Sequence, residues 1–255
     1  MTARWTRGAL AAGALALLPA AAPAGGCSDT RFEGISFTAC ETSAPADLRL
    51  WLTGPDGLPV GTFERLEAML APGETLGFAM NAGMYHPDRR PVGLYIGEEG
   101  EAAPIVTSAG PGNFGMLPNG VFCVAEGFAV IESRRFAEAP PACRIATQSG
   151  PMLVIGGALH PRFLPGSDSR HVRNGVGVSA DGRRAVFAIS NQPVTFHQFA
   201  RFFRDGLGTP DALYLDGSVS RLKAPGLDRA DTGSPMGPII GLVTRATASA
   251  ASPDD

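Results

Sequence analysis

Short apolar runs in this chain stop on polar residues whose types suit chemistry. The run Ala212 to Leu215 ends on Asp216, and Gly217 and Ser218 follow at once in "ALYLDGSVS". A carboxylate delivered by the end of a buried strand serves as general acid, general base, nucleophile or metal ligand; in the bland reading it caps the amides of its own turn. The run "LGFAM" ends on Asn81, with Gly83 two positions on and Tyr85, His86, Asp88, Arg89 and Arg90 crowding the loop that follows. Asn81 either orients a ligand or tolerates a left-handed turn. In "RHVRNGVGVS", Arg173 and Asn174 open a run in which Val176 and Val178 share one face, while Gly175 and Gly177 leave the other bare. An arginine fixed there offers a planar fork of donors that matches a carboxylate or a phosphate.

Other chemistries find less support. No G-x-S-x-G is present for a nucleophilic serine, "TQSGP" being the nearest approach. No C-x-x-C occurs, and Cys and His are scattered, which disfavours zinc and a thiol nucleophile. A divalent cation held by Asp216 with Asp88 or Asp168 is a weaker reading, because no ordered calcium loop is visible.

The elements that must position these residues repeat a pattern. Behind Thr62, an N-cap residue, Phe63, Leu66, Met69 and Leu70 fall at helical spacing, and the chain returns through Pro72-Gly73 to the strand that ends on Asn81. Behind Thr195, Phe196, Phe199, Phe202 and Phe203 form one stripe, Gln198 completes a capping box, Gly206 is the expected terminator, and the next strand ends on Asp216. Two such helix-strand units, a weak internal repeat, are expected to bring Asn81 and Asp216 to one cleft. Between them "VGLYI", "GVFCV", "GFAVI", "RIATQSGPMLVIGG" and "RAVFAISN" read as strands joined by turns. The expectation is an α+β fold, a single domain over 25–243 with mixed, largely antiparallel sheet flanked by a few helices, followed by a frayed tail over 244–255.

With 255 residues, 44% apolar and 18% charged, the chain is long enough to bury a real core. Its 33 glycines and 22 prolines favour many turns over a helical bundle. A net charge of −3 without a basic stripe argues against nucleic acid as a partner. Arg4 and Arg7 precede the apolar "GALAAGALALLPA" and the small residues of "AAPAGG", which reads as a signal peptide over 1–24. That run falls short of the about 20 residues a spanning helix needs, so no transmembrane segment is expected and the protein should be periplasmic or secreted. A lipid on Cys27 is the competing expectation. Four cysteines in an exported chain suggest disulfides, and spacing pairs Cys27 with Cys40 and Cys123 with Cys143. The first pair is helped by a tight hairpin at Glu33-Gly34 between Phe32, Ile35 and Phe37.

In order, "MNAGMY", "PVGLYI", "NGVF", "ATQSGPMLV", "RNGVGVS" and "LDGSVS" resemble the phosphodiester glycosidase family, from about Phe32 to Val243. The resemblance implies hydrolysis of a sugar 1-phosphodiester, with a carbohydrate or glycosyl phosphate as substrate and no cofactor that the sequence requires. It implies Asp216, Arg173 and Asn81 as catalytic residues, and Gly83, Asn174, Gly217 and Ser218 as substrate contacts. The chain departs from the family pattern in having "LDGSVS" in place of a longer glycine run, and Asn191 in "ISNQPV" where Asp-Gly is frequent. A noncatalytic exported module that binds a cell-envelope saccharide in the same cleft is the alternative.

Overall fold

The computed structural model describes residues 26–98, 100–216 and 219–245. The expected signal peptide, and Gly217 and Ser218, lie outside them. In chain order the strands are β1 (Gly26–Phe32), β2 (Ile35–Ser43), β3 (Leu48–Trp51), β4 (Glu74–Asn81), β5 (Tyr95–Gly97), β6 (Gly100–Ala103), β7 (Gly120–Val124), β8 (Phe128–Glu132) and β9 (Ile145–Ser149). They continue as β10 (Met152–Ile155), β11 (Ala158–Leu159), β12 (Asn174–Val178), β13 (Arg184–Ser190), β14 (Asp211–Tyr214), β15 (Leu222–Ala224), β16 (Arg229–Ala230) and β17 (Ile239–Arg245). The helices are α1 (Phe63–Glu67), α2 (Ser133–Glu138) and α3 (Phe196–Arg201), the last running into a wide turn over Phe202–Gly206.

Three sheets result. One is seven-stranded in the order β1-β2-β13-β12-β14-β10-β11, and two are five-stranded, β16-β15-β4-β17-β3 and β6-β5-β9-β7-β8. Among the described residues the strands of each sheet pair antiparallel, as in the hairpins β1-β2, β7-β8 and β12-β13. The architecture is the expected α+β fold, with the antiparallel share larger than a mixed sheet requires.

The alternation of side chains along each strand explains how the sheets stack. Phe78 and Met80 of β4, Phe122 and Val124 of β7, and Phe187 and Ile189 of β13 all point into one shared core. The intervening residues face outward, where each sheet is covered by its own short helix. Phe199 and Phe203 lie on the seven-stranded sheet beside Val186, Ala188 and Tyr214. Phe63 and Leu66 of α1 cover Ala79 and Ile239, and Phe136 of α2 covers Val121 and Ala146. Burying one such aromatic contributes about 2–3 kcal/mol.

Local details follow from residue type. Glu33 and Gly34 both take positive φ, 49° and 79°, and so close the two-residue hairpin that sets Cys27 opposite Cys40. Thr195 and Gln198 form the expected reciprocal cap on α3. Gly206 does not end this segment by a left-handed turn. That conformation falls to Gly208, at φ 66°, while Gly206 makes room for the Phe202 and Phe32 rings. Strand β17 continues through Arg245, two residues into the stretch read as tail, because Thr244 and Arg245 pair with Thr75 and Glu74. Both expected disulfides are present, Cys27–Cys40 and Cys123–Cys143. The Cys27 sulfur is thereby occupied, contrary to the lipid-anchor alternative. No helix among the described residues is long and apolar enough to cross a membrane.

Candidate active site

Asn174 opens β12 on the same face as Val176, so its amide points to where the seven-stranded sheet meets the end of β4. It is fully buried, and a buried amide must find its hydrogen bonds inside the protein. Its Oδ1 accepts from Asn81 Nδ2 at 3.2 Å and from the Asp216 backbone N–H at 3.1 Å. Its Nδ2 donates to the Asn81 carbonyl at 2.9 Å, and its own carbonyl accepts from Leu215 N–H at 3.1 Å. One side chain thus ties the end of β4 to the end of β14. Asn81 and Asp216, distant in sequence, are brought to one place through it.

The loop after β14 returns to the same point. Ser220 donates from Oγ to the Asp216 carbonyl at 2.7 Å and approaches Asn174 Oδ1 at 3.4 Å. Arg221 N–H donates to Asn81 Oδ1 at 2.8 Å. The Asn81 amide is therefore used in both directions and fully buried, which makes it a fixed member of the frame. Asp216 is 8% exposed, at the surface edge of this cluster. Ser220 and Arg221 of this cluster also line a polar groove of about 630 Å³, together with Val172, Ser190, Asn191 and Thr232.

Arg173 goes the other way. As the neighbour of Asn174 it takes the opposite face of the strand, and it is 1% exposed. Its Nε donates to Val194 O at 2.9 Å, Nη1 to the Tyr214 hydroxyl at 3.3 Å, and Nη2 to Ser169 O at 3.2 Å. The guanidinium lies 3.6 Å from the centre of the Phe196 ring. An open fork beside a bare glycine face was the expectation. The glycine face is instead filled by α3 and its following turn: a Cβ at Gly177 would crowd Thr209 and Phe203, and one at Gly175 would crowd Phe199. Burial lowers the Arg173 pKa, and the guanidinium makes no ion pair among the described residues. Arg173 and Asp216 nonetheless act on a common neighbour. Tyr214, whose pKa burial drives well above the usual phenol value, is pulled down by Arg173 and pushed up by the Asp216 charge.

Gly83 is likewise packed. Its N–H donates to Thr147 Oγ1 at 3.1 Å, and any side chain there would strike the Gln148 carbonyl of β9. The glycine permits an approach of two backbones, which the sequence could not distinguish from an approach of backbone to ligand. Asp88 is held by Arg90 on the exposed loop, and no group of three His, Cys, Asp or Glu side chains among the described residues stands close enough to hold a metal ion. Sequence reasoning passed over Arg221, since an arginine after a serine-rich loop carries no signal, and grouped Tyr85 with its charged neighbours. The Tyr85 hydroxyl is buried with no hydrogen-bond partner among the described residues.

The family model for phosphodiester glycosidases matches residues 74–223, which hold Asn81, Arg173, Asn174 and Asp216. The chain belongs to the phosphodiester glycosidase family. A relative in Escherichia coli (strain K12), the uncharacterized protein YigE, is 34% identical over 179 residues, 70% of each chain. Among solved structures, the zebrafish N-acetylglucosamine-1-phosphodiester alpha-N-acetylglucosaminidase catalytic domain, auto-inhibited by its pro-peptide, superposes with a TM-score of 0.58. It is 14% identical, with 85% of this chain and 81% of that one covered. At that identity the likeness speaks for the fold. This phosphodiester glycosidase family member therefore shares the architecture over most of its length, while its site is read from its own residues.

Proposed function

We propose that the protein is an exported hydrolase that cleaves a glycosyl phosphodiester at the carbon bearing the phosphate, in the groove beside Asp216. The observation that carries the reading is the Asn174 bridge, which ties Asn81 to the Asp216 backbone, next to a polar groove lined by Ser220 and Arg221 of the same cluster. Family membership supplies the reaction class. The two disulfides support an oxidising compartment, periplasmic or extracellular.

A phosphodiester leaves as an anion, so the reaction asks less of a proton donor than of fixed positive charge. Arg173 supplies such charge from behind the site, buried, without a carboxylate paired to it among the described residues, and hydrogen-bonded to the Tyr214 hydroxyl. Asp216 assists at the anomeric centre, as nucleophile or as base toward water. Asn81 and Asn174 hold the Asp216 backbone in register. Incubating the purified protein with a nucleotide-linked sugar 1-phosphodiester should release free sugar, and Asp216→Asn should abolish the release. Binding of the sugar ester without any turnover would favour the noncatalytic saccharide-binding module instead.

A further inference from the structure

Arg229 and Arg221 both line the groove, and they differ in how they are used. Arg229 is saturated: Nε and Nη2 grip Asp231 at 3.0 and 2.9 Å, and Nη1 donates to Thr38 and Asn191. Arg221 makes no ion pair among the described residues. A single Nη1 bond to the Ser234 carbonyl holds its guanidinium, so Nε and Nη2 have no acceptor among the described residues. The side chain is half-buried and seated flat over Gly233, where any Cβ would collide with it. Its backbone is pinned by Asn81, so the group is positioned and not free to wander. A half-buried arginine left without a counter-ion is expensive unless an anion visits.

Tyr85 presents the second unused donor. Its ring packs on Gly237, where a side chain would overlap it, and its hydroxyl is buried with no partner among the described residues. Gly237 precedes Pro238, whose carbonyl accepts from Ala82 N–H, so the phenol stands over the same strand end that carries Asn81. Burial first, then the Asp216 charge, raises its pKa, and Arg89 and Arg221 oppose the rise.

We propose that Arg221 and Tyr85 together bind the phosphoryl oxygens of the substrate, the guanidinium by its open Nε and Nη2 edge and the phenol by one O–H donor. The assignment rests on the hydrolase reading for its biological meaning. It divides the work of positive charge in two: Arg173 acts from within the core, and Arg221 makes the contact.

The test is calorimetric titration of the full chain with methyl phosphate, which needs no turnover. Arg221→Gln should weaken binding at least about 10-fold, as expected for losing a charge-assisted pair of donors. Arg221→Lys should recover part of that loss, and Tyr85→Phe should cost about 3- to 10-fold, the worth of one hydrogen bond. Arg90→Gln, on the exposed loop, should match wild type within about twofold, the worth of an exposed charge. Thermal melts of each variant separate loss of site from loss of fold. Wild-type affinity in folded Arg221→Gln would overturn the proposal, as would failure of folded wild-type protein to bind methyl phosphate. Arg221-dependent binding without turnover of any glycosyl phosphodiester would leave this assignment standing and bring down the hydrolase reading alone.

Discussion

Asp216 and Asn174 divide the site between chemistry and scaffolding, and substitutions should separate the two. Asp216→Asn keeps size and hydrogen-bonding capacity, so kcat is expected to fall by about 100-fold or more while the melting temperature stays close to wild type. Asn174→Ala removes the amide that serves Asn81, Asp216 and Ser220 together. Two or more buried groups lose their partner, so a loss of about 2–4 kcal/mol in urea unfolding is expected alongside the loss of turnover. For Arg173 the decisive comparison is Lys against Met. If its charge supports the departing phosphate, Arg173→Lys retains several-fold more activity than Arg173→Met although both give up the stack on Phe196. Equal activity in the two would reduce Arg173 to a packing role. Asp216 was legible in the sequence because a carboxylate at a strand end stands out against an apolar run. The direction of Arg173 was not, since alternation places it with Gly175 and Gly177 but says nothing of which face α3 will cover.

At the scale of elements, one carboxylate clips three strands of the β16-β15-β4-β17-β3 sheet. Glu74, 3% exposed at its side chain, accepts from Arg49 of β3 at 2.7 and 2.9 Å and from Arg245 of β17 at 3.0 Å. Arg49 first, then Arg245, holds the Glu74 carboxyl down to about 2, below its ordinary 4.5. Because the folded pKa is the lower one, the contribution is present above about pH 4.5 and drains away as pH falls toward 2. Melting curves across that window should drop in wild type, and the drop should be shallower in Glu74→Gln, which starts less stable at pH 7. Gly177→Ala tests the packing of α3 on β12: its methyl would meet Thr209 and Phe203, and a loss of about 1–3 kcal/mol is expected. Strands such as β7, β12 and β13 were legible as short apolar runs between turns. The helices came out shorter than their stripes: α1 stops at Glu67, and Met69 and Leu70 reach the core from a turn. Tertiary packing, not helical periodicity, places those side chains.

The whole molecule is three sheets around one core; the β6-β5-β9-β7-β8 sheet comes from one stretch of chain, whereas the other two draw their strands from distant parts of it. Legible in advance were the class of fold and the convergence of two strand ends. The three-way stacking was not, because it depends on which outer faces the short helices claim. The Cys123–Cys143 bridge closes a separation of 20 residues, and its reduction should cost about 3 kcal/mol, read as a lower urea midpoint with reductant than without. One register has a wider consequence. Strand β2 pairs with β13 from Ser43–Arg184 to Phe37–Ser190, so the amino-terminal hairpin waits for a partner some 140 positions downstream. A nascent chain therefore cannot complete its largest sheet until nearly all of it has been released, and the early hairpin keeps an open edge in the meantime. Fragments ending before β13 should be captured by chaperones or degraded, while the intact chain folds as a unit after synthesis.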